Sequence, residues 1–456
     1  MKDSRRNLRI GLLEGLLATP YTVVSVPGGF LLAALLTQWF GIEKSTFGWI
    51  VSLPSWANAL QALVLPLLAR FVTAKDLALG MGWFNTGLWA MLVAAVGFLP
   101  RDNPSACAGF FLLFFGLASA SGAFQVVGWT AWIRDWVPKK LRGAYFGKRN
   151  SWISGVTLGF LLLVMAALDF WKSSLAPYLG ILAAMVGLRF LSLLWQHGIR
   201  TRQDHTPLVA QPLGRSLAEC HATPGLGLFI AFSAWMNFWM SFTGPFTSIF
   251  TFEQLGLEPG TFALLTAIGT ISGVFGWTFW GRVADKAGSI PVIAIGTFLW
   301  EIQNFFWAFL TPGNSWLLYP MFLWGGFFAV SFFVGSLNLL LNIVPQKSSM
   351  AAISLHLAGT SIAMAAAPIL SGYLIEKFIT RGDGGIGIYH LGFAIKSFAC
   401  LLGLLILIPI REPGRNSNQS LPGAFRAVRQ AMVVQGLELF ANLTPFRNTS
   451  KSKPRR

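Results

Sequence analysis

Twelve apolar runs, each long enough to cross a lipid bilayer, divide this sequence and limit the folds open to it. A spanning helix needs about 20 mostly apolar residues, and a spanning barrel strand needs only about ten. Because these runs are too long for barrel strands, we predict an all-α membrane protein with twelve transmembrane helices. The predicted runs are residues 15–40, 46–69, 77–99, 106–133, 151–170, 176–196, 226–250, 261–280, 290–311, 316–343, 351–376 and 389–410.

The composition excludes several other classes of protein. Charged residues make up 11 % of the chain, against about 25 % in a soluble domain. The net charge of +17 could attract nucleic acid, but the basic residues lie in connections and in the tail rather than on one face. The three cysteines are far apart and lack metal spacing. We therefore expect lipid around the chain and no nucleic acid, metal or cofactor. We also expect a monomer.

The distribution of basic residues predicts the orientation in the membrane. Residues 132–150 carry six Lys or Arg against one acid, between two spanning runs. If the N-terminus is cytoplasmic, the cytoplasmic connections hold 18 Lys and Arg even without the tail, and the opposite connections hold 5. Cytoplasmic loops carry this excess in membrane proteins. We expect a multi-pass protein of the cytoplasmic (inner) membrane with both termini in the cytoplasm.

Internal similarity predicts two repeated halves. Residues 341–356 are a weaker copy of the basic stretch, with one Val-Pro pair in each, and residues 40–47 match residues 255–262. The predicted parts are a six-helix half over 1–196, a cytoplasmic linker over 197–225, a second six-helix half over 226–412 and a basic tail over 413–456. Within the tail, 425–440 is either a helix on the anionic leaflet or a disordered segment. Parallel six-helix repeats are typical of transporters whose site lies between the halves.

A short motif after the eighth run carries a family resemblance. Residues 281–288 read GRVADKAG, which resembles the GxxxD(R/K)xG signature of the major facilitator superfamily through Gly281, Asp285, Lys286 and Gly288. In the first-half copy, Thr73 stands where the acid belongs. The resemblance covers roughly residues 8–412 and implies a secondary transporter, not an enzyme. No convergent set of catalytic side chains is visible in the sequence either.

The resemblance implies a conformational latch at the cytoplasmic side. Gly281 would let helices pack closely, Asp285 would pair with a cation or a helix N-terminus, and Gly288 would permit a tight turn. In the basic stretch, Asp135 would pair with Arg142 or Arg149. The alternative is a charged loop that serves topology alone.

Neutral polar side chains recur at helical spacing in several runs. The family resemblance places runs one, four, seven and ten around a central cavity, flanked by two, five, eight and eleven. The alternative role for each side chain is interhelical hydrogen bonding. Neutral, amide-rich lining favours an uncharged or zwitterionic solute such as a sugar or its derivative. The candidate substrate-binding residues are Asn58, Gln61, Gln125, Trp129, Asn237, Asn338 and His356.

Charged residues within the runs are few. Glu301 would pair with Lys396 or carry a proton, and we favour structural pairing because the ninth helix does not usually line the cavity. Arg189 and Lys396 would by default snorkel towards the interface. The helices expected to line the cavity carry no charged residue in the middle of the span. The sequence therefore leaves open whether transport is coupled to an ion. A non-transporting membrane assembly or receptor protein of the same fold remains the alternative function.

Overall fold

The computed structural model describes residues 2–68, 71–137, 142–171, 174–200, 223–344, 349–381 and 385–412, with residues 429, 430 and 433. The predicted linker over 197–225 lies mostly outside the described residues, as does the tail over 413–456. The side chains of Asp135, Arg142 and Lys286 lie outside them as well.

Eleven of the predicted runs fall on one helix each, the first falls on two helical segments, and the all-α prediction is confirmed. Ten of the described helices are long and apolar enough to cross a membrane, so the chain is a multi-pass membrane protein. The helices are α1 (Lys2–Val24 and Phe30–Trp39), α2 (Lys44–Leu68), α3 (Ala74–Val96), α4 (Pro104–Trp136), α5 (Arg142–Phe170), α6 (Ala176–His197), α7 (Leu226–Glu253), α8 (Pro259–Ala287), α9 (Ser289–Phe305), α10 (Leu318–Ile343), α11 (Ser349–Thr380) and α12 (Ile386–Gly403).

The first crossing is broken, although the sequence predicted one continuous helix over 15–40. Helix α1 stops after Val24 and resumes at Phe30. Pro27 lacks the N–H that a continuing helix would need, and the residue before a proline is pushed out of the helical region. A side chain at Gly28 would press against Pro245 of α7. The break therefore brings α1 close to a helix of the second half.

The same helix pairs pack together in each group of six. Within the first group, α1 packs on α5 and α6, and α4 packs on α2 and α3. In the second, α7 packs on α11 and α12, and α10 packs on α8 and α9. Between the groups, α2 runs along α11 and α5 runs along α8. These two helix pairs supply most of the contact between the halves.

The buried core differs between the two ends of the bundle. At the end that holds Lys44, one cluster continues through both halves, with Phe47 on Phe246 at 5.7 Å and Phe30 on Phe262 at 5.9 Å between ring centroids. We call this the Lys44 end. At the opposite end, which holds Trp136 and Ile343 and which we call the basic end, the clusters belong to one half or the other. The apolar core thus joins the halves at the Lys44 end.

Candidate functional site

An ion pair and a hydrogen bond from a backbone N–H to a carboxylate link the halves at the Lys44 end. The Lys44 ammonium lies 2.8 Å from a carboxylate oxygen of Glu253, at the end of α7. The backbone N–H of Lys44 donates to the Glu376 carboxylate of α11 at 2.8 Å. Lys44 therefore ties the start of α2 to two helices of the other half.

Two glycines allow α2 and α11 to cross with their backbones in contact. A Cβ atom on Gly48 would overlap the carbonyl of Pro368, and one on Gly372 would overlap the carbonyl of Lys44. A Cβ atom on Gly260 of α8 would overlap the side-chain carboxylate of Asp169 on α5 and would lie 3.2 Å from the Met165 carbonyl. Small residues let membrane helices approach closely, so this end is closed by backbone packing as well as by charge.

At the basic end, the hydrogen bonds join helices of the same half. The Glu412 carboxylate accepts from the Ser289 hydroxyl at 2.9 Å, from the Ser289 backbone N–H at 3.1 Å and from the Asn342 amide at 3.0 Å. In the first half, the Asn7 amide donates to the Arg200 carbonyl at 2.6 Å. The hydrogen bonds described at this end therefore lie within one half or the other.

The structure agrees with the expected role of one signature residue, Gly288, and not with that of Gly281. Gly288 has φ of 98° and joins α8 directly to α9, so the expected tight turn is present. The expected close packing at Gly281 is wrong for this arrangement, because nothing lies within 4 Å of a Cβ built there. Asp285 is exposed and has no hydrogen-bond partner among the described residues. In the first half, the Thr73 hydroxyl instead caps α3 by accepting from the Asp76 N–H at 3.1 Å.

A buried polar network holds α1, α5 and α6 together in the first half. Glu14, with an exposed fraction of 2 %, accepts from Arg149 at 3.2 Å and from the Gln196 amide at 2.7 Å. The Ser192 hydroxyl donates to the Glu14 carbonyl at 3.0 Å. A buried charge is tolerated when it is paired and hydrogen-bonded. These contacts fix the mutual position of three helices.

Arg149 occupies the centre of this network rather than a free loop. It donates to the Gly11 carbonyl at 3.1 Å, and its guanidinium lies 5.1 Å from the ring centroid of Trp129. Its predicted partner Asp135 has no described side chain, so the pair of Asp135 with Arg142 or Arg149 stays a prediction.

The second half contains a buried ion pair between α9 and α12. The Lys396 ammonium lies 2.8 and 2.7 Å from the two carboxylate oxygens of Glu301, and Asn304 donates to Glu301 at 3.2 Å. The exposed fractions are 6 % for Lys396 and 0 % for Glu301. The default expectation of snorkelling is therefore wrong for Lys396, because an unpaired Glu301 in the core would cost more than withdrawing the ammonium from the interface.

Arg189 is also buried inside the bundle, at 6 % exposure, and does not snorkel as expected. It donates to the Ser192 hydroxyl at 3.3 Å and lies 5.1 Å from the ring centroid of Tyr21. The hydroxyl and the aromatic face attract the guanidinium inside the half and replace some of its contact with water.

A small cavity adjoins Lys396. It has a volume of about 190 Å³ and lies between α7, α9 and α12. Lys396 and Asn304 line one side, and Thr243 and Thr247 of α7 line the other. Lys396 thus forms part of the wall of a cavity in the second half.

The predicted substrate-binding residues do not all occupy equivalent positions. Gln125 is buried and lies against Gly82 of α3, next to a bond from Asn85 to Ser121 at 2.9 Å. The stripe of α4 through Ser121 and Gln125 therefore faces α3, inside the first half. The interhelical alternative fits Gln125 better than a cavity role.

The other candidates are partly accessible, apart from Gln61, which is buried. The Asn237 amide donates to the Ser233 carbonyl of its own helix at 2.7 Å. His356 stacks on Phe229 of α7 at 5.4 Å, and its Nε2 has no partner within the described residues. Asn58 and Asn338 are half-buried and likewise make no side-chain hydrogen bond there. Their amides remain available to a ligand.

Sequence reasoning missed the contact between the halves at Lys44. Lys44 and Glu253 lie outside the predicted runs, and Glu376 is the last residue of the eleventh run. Their pairing depends on three helix ends meeting. The Glu14 network was missed for the same reason, although an acid at the edge of the first apolar run was a usable signal.

Comparisons with known proteins agree with this architecture. A family model described as the Major Facilitator Superfamily matches residues 225–448. No curated protein sequence gives a significant match. Among solved structures, a mutant of the nucleoside transporter NupG has a TM-score of 0.68 at 15 % identity, covering 88 % of this chain and 100 % of that chain.

Two further solved structures are similar. A D-xylose-proton symporter has a TM-score of 0.67 at 15 % identity, covering 90 % of this chain and 99 % of its own. A bacterial homolog of the human lysosomal transporter Spinster, solved in an inward-facing and unoccupied conformation, has a TM-score of 0.59 at 16 % identity, covering 95 % of this chain and 97 % of its own. At these identities the likeness shows the fold.

Proposed function

The chain belongs to the major facilitator superfamily, a family of membrane transporters, and from that premise we propose that it moves a small organic solute by alternating access. The observation that carries this proposal is the asymmetry between the two ends. The halves meet at the Lys44 end through the Lys44–Glu253 pair and the Gly48 crossing. At the basic end, the described hydrogen bonds stay within each half. One end of the path is therefore closed, and the contacts that close it are breakable.

We further propose that the basic end faces the cytoplasm of an inner-membrane protein. The support is the excess of Lys and Arg at this end, 18 against 5. The described arrangement is then closed on the side away from the cytoplasm. Cysteines placed singly at Lys148 and Asp102 test this with a membrane-impermeant thiol reagent. Position 102 should react in intact cells, and position 148 should react only after permeabilisation.

For the solute, we propose an uncharged or zwitterionic molecule, with a sugar or a sugar derivative as the first class to test. The half-buried amides of Asn58, Asn237 and Asn338 offer donors and acceptors without net charge. Two of the similar structures are named for neutral, hydroxyl-rich solutes, a nucleoside and D-xylose. Those names describe the similar structures, and here they decide only which solutes are tested first.

The decisive experiment is counterflow in proteoliposomes. Purified protein is first screened for thermal stabilisation by a library of sugars, nucleosides and zwitterionic metabolites. Each stabilising solute is then loaded inside vesicles, and uptake of the labelled solute is followed. Concentrative exchange supports the proposal. Stabilisation without exchange would instead favour the non-transporting receptor or assembly, for which the replaced acid at Thr73 is the supporting observation.

The Glu301–Lys396 pair is proposed to have a structural role rather than a role in proton transfer. Both carboxylate oxygens of Glu301 contact the ammonium. The pair also connects α9 to α12 inside the second half, so its natural role is to keep that half rigid while it moves against the first.

A further inference from the structure

A basic and apolar groove lies on the outer surface of the first half, between α1 and α6 at the basic end. Its volume is about 640 Å³. The floor is apolar and consists of Ile10, Leu13, Leu191, Leu194 and Trp195. Arg5, Arg6 and Arg9 line one end. The described lining therefore combines a cluster of cations with an apolar channel.

The arginines of this groove are not neutralised by the protein. No Asp or Glu is among its described lining residues, and Arg5, Arg6 and Arg9 have no hydrogen-bond or ion-pair partner within the described part of the chain. Arg5 and Arg9 are one helical turn apart, and Leu13 is one turn further, so all three share a face of α1. Along this face of α1, the groove is therefore positively charged near the N-terminus and apolar further along the helix.

The walls of the groove are fixed relative to each other. Asn7, on the opposite face of α1, is buried and exchanges two hydrogen bonds with Arg200 just beyond α6: its amide donates to the Arg200 carbonyl, and its carbonyl oxygen accepts from the Arg200 N–H at 3.2 Å. Inside the bundle, Ser192 donates to the Glu14 carbonyl. Hydrogen bonds on the inner side of α1 and α6 therefore hold the two walls of the groove at a fixed separation.

We propose that this groove binds one anionic phospholipid, with its phosphate on Arg5, Arg6 and Arg9 and an acyl chain along Leu13, Leu191 and Leu194. Guanidinium groups bind phosphate oxygens in a forked geometry. From Arg5 to Leu13 the helix rises about 12 Å, enough for a headgroup and the first part of an acyl chain. Trp195 lies beside the arginines, where tryptophan is expected at the headgroup level.

The apolar floor favours a lipid over a free anion. A soluble phosphate would leave the apolar floor exposed, whereas a phospholipid covers both parts of the groove. The exposed fractions of Leu194 and Trp195, 49 % and 46 %, show how much apolar surface adjoins the arginines. The inference does not depend on the solute or on transport, since it rests on the outer surface of the first half.

Native mass spectrometry of the purified full chain tests the proposal. The probes are phosphatidylglycerol and phosphatidylcholine with identical acyl chains. The wild-type protein should retain phosphatidylglycerol preferentially. The variant Arg5→Gln/Arg6→Gln/Arg9→Gln should lose that preference by tenfold or more, because each arginine near an anionic lipid contributes about a fivefold effect.

The control variant removes the same charge elsewhere at the basic end. Lys148→Gln/Arg282→Gln/Arg411→Gln changes three exposed cations outside the groove and should keep the preference. Equal losses in the two triple variants would overturn the proposal, since general surface charge would then explain retention. Equal binding of both lipids by the wild type would overturn it too.

Further measurements distinguish a lipid from a free anion and allow for a triple variant that does not fold. Leu194→Asn should weaken lipid retention while leaving all three arginines in place. Inorganic phosphate at millimolar concentration should not displace the lipid; full displacement would mark a free-anion site and overturn the proposal. If the triple variant does not fold, Arg9→Gln alone should still lower the preference about fivefold, and an unchanged preference there would count against the site.

Discussion

The Lys44 ammonium lies 2.8 Å from the Glu253 carboxylate and so connects the start of α2 with the end of α7. The side chains are 17 % and 24 % exposed. A partly exposed pair contributes little stability, at most about 1 kcal/mol. Because the pair joins the two halves, we expect it to affect the equilibrium between open and closed states of the Lys44 end more than the stability.

Glu253→Gln should therefore shift the conformational equilibrium more than the stability. We expect the Lys44 end to open more often, with the unfolding temperature nearly unchanged. Thiol-labelling rates of a cysteine placed at Thr247, on α7 near this end, measure the opening. Glu43→Gln is the matched control, because it removes an exposed acid next to Lys44 that has no side-chain partner among the described residues. Equal labelling rates in the two variants would contradict a gating role for the pair.

Gly48→Ala and Gly372→Ala should prevent the close crossing of α2 and α11. The new methyl groups would meet the Pro368 and Lys44 carbonyls, and overpacking of this kind costs about 1–3 kcal/mol. Because only the closed Lys44 end has this contact, transport should fall and labelling at that end should rise. Gly155→Ala, at a helical glycine with open space around it, should be neutral. A neutral result at both Gly48 and Gly372 would show that the crossing is not required.

Glu301→Gln and Lys396→Met should each destabilise the protein strongly. Removing one member of a buried pair leaves the other charge unpaired, at a cost of about 3–5 kcal/mol. The double variant should unfold at a higher temperature than either single variant. Fluorescence-detected thermal unfolding in detergent measures this. If the two losses simply added in the double variant, the residues would not act as a pair.

Asp285→Asn should leave stability unchanged, because Asp285 is exposed and has no hydrogen-bond partner among the described residues. If the predicted latch forms when the basic end closes, the same change should slow transport and alter the populations of the two states. Exchange in proteoliposomes and thiol labelling at Lys148→Cys measure the two effects. Unchanged exchange at normal expression would leave only the topological role for this charge.

Asn237→Ala and Asn338→Ala should weaken solute binding without lowering the unfolding temperature, since both amides are half-buried and lose little packing. Gln125→Ala provides the contrast. Gln125 is buried against α3, so its loss should lower the unfolding temperature and leave solute affinity unchanged. Solute-dependent thermal shift measures both quantities in one experiment. The opposite pattern would place Gln125 in the solute path and remove the two asparagines from it.

The sequence predicted the helices well, because spanning length and apolar composition are local properties. Eleven of the twelve runs fall on one helix each, and the first falls on the two segments of α1. The glycine of the signature makes the expected turn at Gly288. The break in α1 was predictable in principle from Pro27 and the glycines after it, but the apolar character of the run outweighed that signal.

The candidate site was predicted less well, because helical spacing gives the period of a stripe and not the neighbour it faces. Ser121 and Gln125 form a polar stripe, and only the packing of α4 on α3 shows that it points into the first half. Lys396 could have reached the interface on sequence grounds. Its partner Glu301 lies 95 positions away in the chain, and their meeting depends on how α9 packs on α12.

By itself, the sequence determined that this chain lies in a membrane, that it crosses as helices and that its basic connections share one side, because hydrophobic length and charge act locally along a chain. The tertiary structure decided which polar groups are paired and which end of the bundle is closed. Those outcomes depend on distances between helices that are remote in sequence, such as the 2.8 Å between Lys44 and Glu253. Such distances are fixed only when backbones pack at residues like Gly48.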